Sequence, residues 1–166
     1  MDTAYYIDIF EKLAAQLDKK LLKQKQMMSA VVIYGNSVVL KLYKPGWANA
    51  YPDALSAESR IFFSIWVNDT LIERQDVLYN IHALKLRKLN GYRISSRQFA
   101  ADFRSDFAGI SHLWPNVSIA YGPQTLMQGW QKTSDGSFQK TVLNLCNNFL
   151  KTDYLIDQLL LKYIKI

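Results

Sequence analysis

The amino-acid sequence predicts an α+β domain in which helices cover a small antiparallel sheet. Three observations carry this expectation. Two β-branched runs flank Gly35-Asn36, the signature of a tight hairpin. Amphipathic helical periods occupy both ends of the chain. The elements between them do not alternate strand with helix, as a doubly wound parallel sheet would require. The 166 residues suit one globular domain spanning 1–166. A core of that size stands without disulfides or a structural metal.

The first helix is predicted over residues 3–25. Tyr6, Phe10, Leu13, Leu17 and Leu21 recur at steps of three and four and share one face. Asp2 or Thr3 caps its start, and lysines crowd its last turns, where they suit the negative end of the helix dipole. The hairpin follows, with strands near 29–34 and 37–43. Alternation in its second strand puts Val38, Leu40 and Leu42 on one face and Val39, Lys41 and Tyr43 on the other.

Residues 44–57 read as a long loop, and 59–67 as a nearly continuous apolar strand in the middle of the sheet. Asn68-Asp69 signals a turn. Asp76 is expected to cap a helix over 77–89 that stops at Gly91. Ser95 with Gln98 forms a capping box, and Ile94 with Phe99 a hydrophobic staple, so a helix over 96–107 is expected. A short strand is predicted near 116–121, a turn-rich stretch over 122–136, and helices over 137–150 and 153–165. The last helix is apolar nearly all round and must be buried, in its own core or against a second copy. The predicted sheet is therefore the hairpin 29–43 plus strands near 59–67 and 116–121.

Charge is unevenly distributed. The net charge is +6. Residues 74–104 hold Arg74, Lys85, Arg87, Lys88, Arg93, Arg97 and Arg104 against Asp76 and Asp102. Two basic helices joined by a glycine-containing turn have the shape of a DNA-binding helix-turn-helix. Lys85, Arg87, Lys88, Arg93, Arg97 and Arg104 are thus candidate nucleic-acid contacts. Three features weigh against base reading. Arg87 stands where a small residue should let the helices approach, the connection from Leu89 to Ser95 is long, and the capping box engages Gln98. Phosphate contact without sequence reading is the form expected.

Other chemistry finds little support. With one cysteine, Cys146, no intrachain disulfide forms, and the residue reads as a buried structural thiol. Only two histidines, His82 and His112, are present, with no metal-ligand spacing, so no metal and no cofactor is expected. Pro52-Asp53 followed by Glu58-x-Arg60 fails as a nuclease signature, because arginine does not release its proton. No glycine-rich phosphate loop and no nucleophile elbow occur. Aromatic residues offer one more candidate. Tyr43, Trp47 and Tyr51 recur every four residues around Pro45-Gly46, and with His82 and Trp130 they form a candidate ligand pocket.

The start of the chain lacks a basic segment leading into an apolar run, and no apolar run approaches the roughly 18 residues that span a bilayer. A soluble, cytoplasmic protein without a membrane partner is expected, and the single cysteine suits that compartment. The expected function is a binding domain without catalysis, forming a homo-oligomer through residues 153–166. Two alternatives stand beside it. One is a nucleic-acid-associated protein using the basic face of residues 85–104. The other is an enzyme with an aromatic-walled pocket.

Overall fold

The computed structural model describes residues 1–134 and 136–166. The predicted first helix is two helices, α1 (Thr3–Ala15) and α2 (Lys19–Lys25). Asp2 caps α1 by accepting the Tyr5 N–H at 3.0 Å. Asp18 caps α2 in the same way, accepting the Leu21 N–H at 3.1 Å. The break falls where a short acidic side chain offers the backbone a competing acceptor. The apolar period survives it, because Leu17 and Leu21 still face the core.

The hairpin is β1 (Met28–Tyr34) and β2 (Ser37–Tyr43), with Tyr34 opposite Ser37 and Gly35 at φ +56°. This positive φ is the conformation for which glycine suits the first turn position. After the loop comes β3 (Arg60–Val67), a central strand as expected.

The helix expected over 77–89 is not formed. Residues Asp76–Leu84 are a strand, β4, paired on both sides. The helix cap in this region is Asn68, which accepts the Leu71 N–H at 3.0 Å and opens the short α3 (Asp69–Arg74). Val77, Tyr79, Ile81 and Ala83 alternate, and all four are buried on one face. Pairing with two neighbours outweighs the local helical preference of this stretch. Only Leu86–Lys88 winds further, as one 3₁₀ turn.

The capping box holds at its first half. Ser95 Oγ accepts the Gln98 N–H at 3.3 Å and opens α4 (Ser96–Phe107). The Gln98 side chain turns forward to Asp102 instead of back to Ser95. Ile94 and Phe99, the two members of the staple, are buried. The strand expected near 116–121 is reduced to a single bridge between Ser118 and Gln128. The fifth strand is β5 (Thr125–Lys132) instead, inside the stretch read as turns. Asp135 of that stretch lies outside the described residues. Helices α5 (Phe138–Leu150) and α6 (Tyr154–Lys162) close the chain.

The five strands form an antiparallel meander in the order β1-β2-β3-β4-β5. The fold is thus α+β, with one open sheet and helices. The strand residues that enter the hydrophobic core belong mainly to one alternating set, from Val38 and Leu40 through Phe63, Tyr79 and Met127. Phe10 of α1, Phe103 of α4, Phe149 of α5 and Leu159 of α6 pack with that set. Phe63 and Phe149 stack with centroids 4.5 Å apart. Helices therefore lie on one face of the sheet. Among the described residues no helix is long and apolar enough to cross a membrane.

Candidate functional site

The opposite face of the sheet carries the other alternating set. Its rows follow from the strand registers. Val32, Val39, Trp66, Leu78 and Trp130 stand side by side across all five strands. The next row is Ala30, Lys41, Ser64, Asn80 and Gln128. The third contains Phe62, His82 and Thr125, with Arg60 beyond it on β3. No member of these rows belongs to the helix-side core cluster, although Val39, Phe62, Ser64 and Asn80 are themselves buried. An apolar stripe thus borders a polar one on a face that no helix covers.

Two cations converge at the polar stripe. Lys41 Nζ lies 4.3 Å from the Phe62 ring centroid, and the Arg60 guanidinium carbon lies 5.2 Å from the same centroid. The ring is a weak partner for each, worth about 1 kcal/mol when exposed. Lys41 has neither a carboxylate nor a hydrogen-bond acceptor among the described residues. Arg60 donates from Nη1 to the Ala57 carbonyl, and its buried Nε is unpaired. Burial, and then the nearby Arg60, hold the Lys41 ammonium below the usual lysine range. Burial likewise lowers the Arg60 guanidinium, although Asp53 and Tyr34 oppose this.

Beside them sits a network of neutral polar groups. Asn80, 2% exposed, donates from Nδ2 to Gln128 Oε1 at 3.1 Å and shares a 2.9 Å contact with His82 Nε2. His82 Nδ1 faces the Gln124 carbonyl at 3.3 Å. A neutral ring protonated at Nδ1 satisfies both contacts. Burial lowers the His82 pKa, the Gln124 carbonyl opposes this, and Lys41 and Arg60 add to the lowering. Asn80 Oδ1 is buried without a donor. Among the described residues the site therefore holds a buried acceptor and a buried guanidinium N–H without partners, and an ammonium met only by a ring.

The structure divides the expected aromatic pocket. Tyr43, His82 and Trp130 share the open sheet face. Trp47 is on the other side, 1% exposed, donating from Nε1 to Asp157 at 2.8 Å and edge-on to Phe149. Tyr51 stands 86% exposed in its loop. The expected nucleic-acid contacts also divide. Lys85 and Lys88 both clasp Glu58, at 2.7 and 2.9 Å, and their hydrogen bonds pull its carboxyl down to about 2. Arg104 spends its guanidinium on the carbonyls of Tyr121, Gly122, Thr125 and Leu126. Arg87, Arg93 and Arg97 remain exposed. The two-helix shape that motivated this set is absent, because the segment before α4 is strand β4 and a 3₁₀ turn.

A second polar cluster lines a cleft of about 530 Å³. Asp153, buried at the start of α6, meets Lys25 at 2.9 Å and Lys44 at 2.8 Å, and Lys44 also meets Asp157 at 2.6 Å. Two cations face two carboxylates, and Trp47 completes Asp157. This cluster ties α2, β2 and α6 together and leaves no charge for a ligand. The apolar side of α6 turns inward through Leu155, Ile156, Leu159 and Leu160. Tyr154, Leu161, Ile164 and Ile166 are the large apolar side chains that the 153–166 segment leaves exposed.

Sequence reasoning placed Lys41 and Tyr43 on the strand face opposite the apolar set, but it missed Arg60, Phe62, Ser64, Trp66, Asn80 and Gln128. Period-two alternation in 76–84 was the signal for Asn80. Compared with family models, curated proteins and solved structures, the chain matches none of them.

Proposed function

We propose that this chain is a non-catalytic binding domain whose ligand surface is the open face of the sheet, and that its ligand is anionic. The observation that carries this reading is the pair Lys41 and Arg60, set over Phe62 with no ion-pairing carboxylate among the described residues. Two partly buried cations repel each other and lack full hydration, so an arriving anion relieves both costs at once. Catalysis is less well supported. Both ring nitrogens of His82 are engaged, which leaves the imidazole no free edge for proton transfer.

Binding of sodium polyphosphate, measured by calorimetry at low and high salt, tests the reading. Wild type binds at low salt, and a folded Lys41→Gln, Arg60→Gln variant loses most of that binding. Replacing the exposed Arg87, Arg93 and Arg97 by glutamate serves as the competing variant. Binding lost there, and kept in the Lys41, Arg60 variant, would move the ligand surface to the basic face expected from the sequence.

A further inference from the structure

We infer that the ligand on the open sheet face is a single-stranded nucleic acid, its bases laid on Trp66 and Trp130 and its backbone held by Lys41 and Arg60. This rests on the open-face reading above and adds the class of ligand.

Shape comes first. Small molecules favour concave sites. The cleft at Asp153, of about 530 Å³, and a second of about 460 Å³, which Tyr6, Val67, Asp76 and Phe138 help to line, include neither Lys41 nor Trp66. The cations stand instead on a broad sheet surface. That geometry suits a ligand laid across strands.

Aromatic placement comes next. Trp66, Leu78 and Trp130 are neighbours on β3, β4 and β5, and Trp130 is 41% exposed. Adjacent strands lie about 4.8 Å apart, so the two indoles are separated by roughly 10 Å across Leu78. Trp66 is partly exposed, and accessible indoles are stacking platforms for bases of any sequence. The Lys41 row lies two residues along the strands, about 7 Å away. A base on an indole and its own phosphodiester on Lys41 can therefore be held together.

Hydrogen bonding adds a third argument. The Lys41 ammonium has no acceptor among the described residues, only the Phe62 ring, and a phosphodiester presents acceptors. A purely anionic polymer such as an acidic peptide would satisfy the cations and leave the indoles unused. In a duplex the bases already stack on one another, and no helix rises from this face to enter a groove, so the single strand is favoured.

The test is fluorescence anisotropy with four labelled probes: a twelve-residue oligothymidylate, an abasic oligomer of the same length, a duplex, and polyglutamate. Each is titrated into wild type and into Trp130→Ala, whose exposed site should tolerate truncation, with circular dichroism to confirm folding. The base-bearing single strand should bind at least about tenfold more tightly than the other three, and Trp130→Ala should weaken that probe alone by about tenfold. Equal binding of the abasic oligomer or of polyglutamate would overturn the stacking inference and leave the anion reading standing. Tighter duplex binding would overturn it in the same way. Failure of every probe, at low salt and with folded protein, would overturn both.

Discussion

Tyr79 and Gly129 stand opposite each other on adjacent strands, and the Tyr79 ring occupies the space that a side chain at 129 would need. The phenol is fully buried, donates to the Pro115 carbonyl and packs against Trp114 with centroids 5.1 Å apart. A β-carbon on residue 129 would fall within the contact shell of the phenol oxygen and 2.9 Å from the Pro115 carbonyl oxygen. Gly129→Ala is therefore expected to destabilise the fold by roughly 3 kcal/mol, an overpacking cost. For a chain of this size that is a fall in Tm of roughly 6–12 °C, read by thermal unfolding. In a Tyr79→Ala background the same change should cost less, because the ring that obstructs the β-carbon is gone. Equal costs in both backgrounds would assign the strain elsewhere.

Asp153 is the carboxylate on which α2, β2 and α6 converge. Burial acts to lower the Lys44 ammonium, but its hydrogen bonds to Asp153 and Asp157 outweigh this and the pKa ends up raised. Asp153→Asn takes one charge from between two lysines and should cost about 3 kcal/mol in urea unfolding at neutral pH. Asp157→Asn should cost less, since that side chain is nearly half exposed. The sign with pH follows from the raised Lys44 pKa. Its contribution is fully present below the ordinary lysine value and is lost as pH rises through the raised one. A wild-type midpoint for Asp153→Asn would mean the helices hold without this network.

His82 should be neutral at pH 7. Its folded pKa lies below the ordinary value of 6.5, chiefly because of burial. The unfolded chain then takes up the proton first as pH falls. Stability is fully present above about 6.5 and declines from there toward the lower folded pKa. Proton NMR of the imidazole would read the titration directly. Bound polyphosphate should raise the His82 pKa by offsetting Lys41 and Arg60. A titration unmoved by a ligand that does bind would place that ligand off this face.

Cys146 should be inert in the folded protein. It is buried in α5, and burial pushes its thiol up to about 12. Ellman's reagent should label it only after unfolding, at a rate set by the opening of the core. Rapid labelling of the native protein would mean that α5 opens far more easily than its packing implies.

The features legible in the chain were those carried by a few neighbouring residues. The Gly35-Asn36 hairpin formed as expected, since one turn sets both strands. Helix α4 has the expected bounds, because Ser95, Gln98, Ile94 and Phe99 act within a single turn of one another. The segment 76–84 was misread because its residues fit a helical pattern as well as a strand one. Only β3 and β5 on either side made the strand the better place for them.

The candidate site has the same origin. The sequence by itself determined the α+β class, most of the helices, the hairpin and the fact that Lys41 shares a strand face with Val39 and Tyr43. Tertiary structure alone decided that Lys41 stands in a row with Ser64, Asn80 and Gln128, near Arg60, beside the indoles of Trp66 and Trp130. Caps and turns are local and follow from side-chain chemistry over about four residues. A sheet face is built from strands far apart in the chain, and its rows exist only once the register between them is set.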